Sequence, residues 1–307
     1  MSDEMFIKRI LIPVDGSPPS LMALETAMMI AEKAEASVTV LRIMPRTYGV
    51  EEMLLPYADV FPLSGYDSIV GRKIEDLVKG LPPSGERGES EKERMKVKVE
   101  TQFLRVWADI SGAILRLSKK GYDLILMGVG EETVKDPHGL GNLPYEVLGR
   151  ISLPFLLVKK VSNLSNMLVC VDGSENSVRA LIFAVMLAER MGSKITLLNV
   201  QKTQRDNTSS ETAEERGKQV LSKALESVRR EKLNYLLSLD ELIVDKRVEF
   251  GIPSKKIVEF AEMGNYDLIV LGRRGLGRAR RFLLGSVSDA VSRKAKCSVL
   301  MVPAKRS

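Results

Sequence analysis

Between Leu271 and Ser288 the chain reads LGRRGLGRARRFLLGSVS, a stretch with four glycines and five arginines. Glycine loses more conformational freedom on folding than any other residue, so this density points to a backbone shaped around something. The spacing is Gly272, two residues, Gly275, nine residues, then Gly285-Ser286, with Gly277 inside the longer gap. A glycine-rich connection that opens a helix is a ready anion site, because backbone N–H groups point outward and the helix dipole favours negative charge. Ser286 and Ser288 add hydroxyls at the same end. The chemistry this suggests is a phosphate cradle. Arg273, Arg274, Arg278, Arg280 and Arg281 are expected to form a solvated face, with Arg278 or Arg281 reaching a phosphate.

The elements that must position this loop emerge from an internal repeat. KRILIPVDGS at Lys8 to Ser17 returns as SNMLVCVDGS at Ser165 to Ser174, and GYDLILMG at Gly121 to Gly128 returns as NYDLIVLG at Asn265 to Gly272. Each copy ends in a short apolar run, PFLLV at Pro154 to Val158 and SVLMV at Ser298 to Val302. The chain therefore divides into residues 1–161 and 162–307, with SNLS reading as the linker. In the second copy, MLVCV, KITLLNV, DKRVEF, DLIVL and SVLMV read as strands. The segments between them read as helices over about Asn176–Arg190 (capped by Ser174), Glu211–Leu237, Ser254–Met263 and Gly285–Lys296. Val220, Ala224, Leu225 and Val228 share one face of the second helix. Apolar strands alternating with helices indicate a parallel sheet covered on both faces. The fold class expected is α/β: two tandem sandwich domains, each a five-stranded parallel sheet of Rossmann-like type. Ligands in such sheets bind at the carboxyl ends of the strands, where the strand order reverses. The first copy carries a longer middle around Arg46 to Lys96, including PPSGERGESEKER, which reads as a surface excursion.

Gly-x2-Gly-x9-Gly-Ser after the fourth strand, with an Asp at the end of the first strand, resembles the universal stress protein family. The resemblance covers both copies, and the second has the motif complete. It implies an adenine nucleotide alpha hydrolase-like fold and a bound ATP, ADP or AMP, with Mg accompanying ATP. Carried over residue by residue, Asp172 resembles the acidic residue near adenine and ribose. Cys170, Val171 and Val200 resemble the adenine-pocket lining. Leu271, Gly272, Gly275, Gly277, Arg278, Gly285, Ser286, Val287 and Ser288 resemble the ribose and phosphate shell. Cys170 departs from the small residue or proline often found at its position. Asp172 suits a turn or a helix cap as well as a ligand; its recurrence as Asp15 favours the ligand. The family also implies an internal pseudo-dimer through the final strands, near Phe155 to Val158 and Val299 to Val302, with a homodimer of the chain as a further option.

The first copy keeps the spacing and loses the chemistry. Gly128, two residues, Glu131, nine residues, then Gly141-Asn142 occupy the corresponding positions. Glu131 would bring a carboxylate to the phosphates, and two like charges a few ångströms apart cost on the order of 1 kcal/mol in water and several near a protein surface. Pro144 and Glu146 weaken the helix start. The first site is expected to bind phosphates poorly, with Pro13, Val14, Asp15, Gly128, Gly141 and Asn142 as its remnant.

Composition narrows the alternatives. A length of 307 residues suits two domains of about 150. Lys and Arg exceed Asp and Glu by 46 to 40, a mild excess that would suit phosphate ligands. With 5% aromatics there is little material for stacking on single strands, and no recognition helix is evident, so nucleic-acid binding is not favoured. A single histidine, His138, sits in a loop-like DPHGLG and leaves little room for histidine-based chemistry. Trp107 reads as packing at the position matching Gly251. Cys170 and Cys297 follow no metal or disulfide spacing, and Cys297 reads as a core residue. No apolar run is long enough to span a membrane, and MSDEMFIKRI does not resemble a secretory leader, so a cytoplasmic protein is expected. No Gly-x4-Gly-Lys-Ser/Thr loop, metal-holding carboxylate cluster or general base accompanies the motif. The expected function is adenine-nucleotide binding in a stress-response or signalling module rather than an enzyme. The alternative is a slow ATP hydrolase or nucleotidyl-transfer enzyme.

Overall fold

The computed structural model describes residues 7–45, 97–106, 109–130, 142–202, 210–231, 239–273 and 284–304. The middle excursion, Trp107, Glu131, His138, Gly141, Gly275, Gly277, Arg278 and Arg281 lie outside the described residues. The chain forms two compact units that divide between Val147 and Leu148.

The unit over 7–147 begins with β1 (Arg9–Val14), α1 (Pro18–Ala34), β2 (Ser37–Pro45) and β3 (Val99–Val106). It continues through α2 (Ile110–Leu117), β4 (Leu124–Gly128) and α3 (Leu143–Arg150), the helix that contains the division. Its strands lie in the order β3-β2-β1-β4, with β2 parallel to β1 and β3, and β4 parallel to β1. Ile10, Leu11, Ile12, Leu124, Ile125 and Leu126 are fully buried, because a parallel strand covered on both faces can place every residue in apolar surroundings.

The second unit contains β5 (Phe155–Val158), β6 (Asn166–Cys170), α4 (Glu175–Met191), β7 (Lys194–Gln201) and α5 (Ser210–Arg230). After these come α6 (Leu239–Leu242), β8 (Ile243–Phe250), α7 (Pro253–Met263), β9 (Leu268–Gly272), α8 (Ser286–Lys294) and β10 (Ser298–Val302). The order is β5-β10-β9-β6-β7-β8, parallel from β10 to β8. β5, the last strand of the first repeat by sequence, runs antiparallel to β10, with Val299 opposite Leu157 and Met301 opposite Phe155. The compact units divide before β5, whereas the sequence repeat divides after it. The strand pair itself is the one expected from the sequence.

The helices follow their residues. α4 starts at Ser174, whose Oγ accepts from Ser177 N, and stops at Gly192 in the left-handed region, φ 69°. Ala180, Leu181, Ala184, Val185 and Ala188 recur at helical spacing and are buried. α5 is described to Arg230, and the rest of the expected helix, residues 232–237, lies outside the described residues; α6 is a single turn that the apolar pattern did not reveal. The buried face of α5 is Leu221, Ala224, Leu225 and Val228, whereas Val220 is half-buried. Gly217 lets α5 approach β8 closely, since a Cβ there would come within 2.5–2.8 Å of the Val248 methyls.

Just past β5, Lys159 crosses to the end of α8 and donates from Nζ to Ala295 O at 2.5 Å. Burial pulls its pKa down from 10.5 to about 8, and the Cys297 thiol opposes this only in part. Between those two values the unfolded chain holds more protons than the folded one, so stability rises with pH there. Below about pH 8 the amine is charged in both states and the burial penalty is present in full. Equilibrium denaturation across this range should show the rise, and Lys159→Met should flatten it. An unchanged pH slope in the variant would contradict the assignment.

Candidate functional site

In the second unit the chain leaves β6 for β7 and β8 on one side, then places β9 on the other side of β6. The strand order therefore reverses between β6 and β9, where a crevice opens outside the carboxyl ends. Cys170, Val171 and Asp172 lie at the end of β6, Leu271 and Gly272 end β9, and Gly285 through Ser288 begin α8.

Asp172 sits in a tight turn. Its Oδ1 accepts from Ser174 N at 3.0 Å and from Ser174 Oγ at 2.6 Å, while Gly173 takes φ 85°. An aspartate that bonds the backbone two residues on is a local turn device, and the positive φ between suits glycine. Asp172 N donates to Ser177 Oγ at 3.3 Å, which ties the turn to the first turn of α4. The first repeat builds the same turn: Asp15 Oδ1 accepts from Ser17 N at 2.9 Å and Ser17 Oγ at 2.6 Å, with Gly16 at φ 84°. The recurrence of Asp-Gly-Ser is thus explained by turn geometry alone and does not distinguish a ligand site. Asp172 is nevertheless exposed, two residues past the end of β6.

Gly272 has a packing reason as well. A Cβ there would lie 2.8 Å from Asn176 C and 2.9 Å from both Asn176 O and Ser177 N, in the first turn of α4. In the first unit a Cβ on Gly128 would overlap the Pro19 carbonyl group, and would lie 2.9 Å from Ser20 N. Gly128 is therefore required by the approach of β4 to α1, and it is a poor marker of a ligand remnant.

The loop after β9 is anchored at both ends. Arg273 N donates to Val302 O at 2.8 Å, and Gly285 N donates to Arg273 O at 3.1 Å. Ser288 Oγ donates to Gly272 O at 2.9 Å and is buried, so this hydroxyl ties α8 to β9 instead of facing outward. Arg273 does not join a solvated face. It is 8% exposed, and its guanidinium donates to Gly149 O at 2.6 Å and to Ile151 O. Helix ends leave carbonyls without intrahelical partners, and a cation at the C-terminus of α3 is favoured by its dipole.

The open donors are at the start of α8. Gly285 is its N-cap, with φ −65° and ψ 144° and no side-chain cap, and Ser286 is exposed beside it. The first amides of a helix have no intrahelical acceptor, so this end can receive an anion. Cys170, Val171 and Leu271 are buried, Val200 and Val287 half-buried. Burial pushes the Cys170 thiol well above the ordinary range, and Cys297 is raised for the same reason, so both act as small apolar residues. In the first unit Pro13 and Val14 are buried, Asp15 is exposed, and Asn142 is half-buried ahead of α3. Among the described residues no group of three or more His, Cys, Asp or Glu side chains could hold a metal, and no helix is long and apolar enough to cross a membrane.

Two residues at this end were missed by the sequence reading. Asn199, 2% exposed, donates from Nδ2 to Val171 O at 2.6 Å, and Gln201 Nε2 donates to Asn199 Oδ1 at 2.6 Å. The available signal was a pair of amides two apart in KITLLNVQ, at the positions that correspond to Arg42 and Met44 in the first repeat.

A parallel sheet with this reversal, helices on both faces and an uncapped helix start beside the strand ends define a doubly wound α/β protein. The Universal stress protein family model matches residues 6–159 and 163–303, so the chain belongs to the universal stress protein family and carries its domain twice. Universal stress protein YxiE of Bacillus subtilis (strain 168) is 32% identical over 145 residues, covering 45% of this chain and 98% of the relative. A universal stress protein of Staphylococcus aureus (strain USA300) is 34% identical over 142 residues, covering 45% of this chain and 82% of the relative. The crystal structure of a universal stress protein from Archaeoglobus fulgidus DSM 4304 matches over 97% of this chain and 98% of its own, with 21% identity and TM-score 0.65. That likeness speaks to the fold of the tandem chain.

Proposed function

We propose that the second repeat binds an adenine nucleotide, ATP, ADP or AMP, and that the protein serves as a cytoplasmic nucleotide-responsive stress or signalling module without turnover. The observation that carries this reading is the convergence of the open α8 N-terminus, the end of β9 and the exposed Asp172 at one strand-order reversal. In this reading the phosphates lie against the amides of Ser286 and Val287, with the Ser286 hydroxyl beside them. The ribose and base lie toward Asp172 and Val200. The residues present fit such a ligand: the helix start carries no side-chain cap that an anion would have to displace. Glu131 in place of Gly275 argues that the first repeat binds phosphates poorly.

Mass spectrometry of the small molecule retained after mild purification tests the proposal. An adenine nucleotide released on denaturation is the expected result. A chain that carries none, and that takes up none when ATP, ADP or AMP is added, would overturn it.

A further inference from the structure

We propose that Lys159 is an acylation site, where the amine takes the acyl group of a small acyl phosphate ahead of the exposed lysines of the chain. The site is independent of the nucleotide reading. It lies at the opposite end of α8 from Ser286, where the last carbonyls of the helix need donors. The stem is fixed first. Lys159 N donates to Ser298 Oγ at 3.2 Å, and Ser298 Oγ donates to Lys160 O at 3.4 Å, so β10 holds the main chain on both sides of the residue. From there Nζ reaches Ala295 O at 2.5 Å and Arg293 O at 3.5 Å. A neutral amine has two hydrogens and one lone pair. With the hydrogens turned to two carbonyls of one helix end, the lone pair is directed away from both, and the side chain is only half-buried.

Burial disfavours the charged form of this amine and brings its pKa down to about 8. At pH 7.5 about a quarter of it is then neutral, against about one part in a thousand for a lysine at 10.5. Lys160, Arg293, Lys294 and Lys296, all exposed, flank the amine and its two acceptors. Asp267, Asp289 and Glu262 offset Lys160, Arg293 and Lys296, and Lys294 leaves the rim positive. A positive rim suits a donor that carries phosphate. The Cys297 thiol is the other titratable group beside the amine; burial raises its pKa, so it stays protonated and does not compete. In the reaction the nitrogen lone pair attacks the acyl carbon, an N–C bond forms, and the bond from that carbon to the phosphate oxygen breaks. Inorganic phosphate leaves with the bonding pair and takes the proton that nitrogen loses. The product amide keeps one N–H for Ala295 O and no longer carries a charge that burial disfavours.

Acetylation of the full chain by acetyl phosphate, followed by peptide mass spectrometry, tests this. At pH 7.5 Lys159 should be modified about tenfold faster than the exposed Lys246 and Lys255, since lower basicity and partial shielding take back part of the gain in neutral amine. Its rate should level off above about pH 8. In denaturing urea Lys159 should fall into line with the other two, because the fold is the cause of its reactivity. A rate at or below that of Lys246 and Lys255 in the folded chain would overturn the proposal. An advantage that survives urea would overturn it as well, by placing the cause in the local sequence. Stability gives a second readout: the chain acetylated at Lys159 should lose the rise in stability between about pH 8 and 10.5. A rise that persists after acetylation would show that the modified amine is not the buried one, and would contradict the assignment.

Discussion

Gly128→Ala is expected to destabilise the protein by about 3 kcal/mol, even though the first repeat has lost the glycine pattern that follows this residue. The new methyl would occupy the same space as the Pro19 carbonyl group. That obstacle is backbone at the start of α1, so no side-chain rotation relieves it, and the strand and helix must move apart. Gly128 is not among the glycines at positive φ, so the effect is steric and owes nothing to conformational freedom. Gly272→Ala should behave alike in the second unit, where the methyl would meet Asn176 and Ser177 backbone atoms at 2.8–2.9 Å. Urea denaturation of the two variants measures both. A loss below about 1 kcal/mol at Gly128 would contradict the packing explanation and return this glycine to the status of a ligand remnant.

The second large effect falls on the ligand. Gly275→Glu copies into the second repeat the charge that Glu131 brings to the first. A carboxylate a few ångströms from a phosphate costs several kcal/mol near a protein surface, so ATP affinity should fall by about a hundredfold or more. Gly275→Ala separates charge from bulk and should retain most of the affinity. Titration at low and high salt adds a further check, because screening should recover part of the loss in the glutamate variant. A change of less than about threefold in Gly275→Glu would show that the phosphates do not approach this position.

Much of the fold was legible because parallel strands covered on both faces are nearly continuous in apolar residues. MLVC and LIVL announce β6 and β9 directly, and the repeat doubles the evidence for each. Ser174 and Gly192 mark the two ends of α4 with residues that suit a cap and a left-handed stop. The site was legible as a place, since a strand-order reversal follows from the element order, but less so as a set of roles. Asp172, Gly272 and Ser288 match the family pattern, and each is also held by a local structural task. Asp172 closes a turn, Gly272 admits α4, and Ser288 ties α8 to β9. A motif alone does not separate such tasks from ligand contact.

What stayed hidden depends on partners distant in sequence. Arg273 looked like one arginine among five, and only the nearby carbonyls of Gly149 and Ile151 explain its burial. Asn199 and Gln201 become a directed chain only when β6 brings the Val171 carbonyl alongside.

The central claim is one working nucleotide site per chain, in the second repeat. Calorimetric titration of the full chain with ATP tests it most directly, with wild type and Gly275→Glu measured side by side. The account predicts a single site per chain in the wild type and its loss in the variant. Two equivalent sites, or a single site that survives Gly275→Glu unchanged, would contradict it.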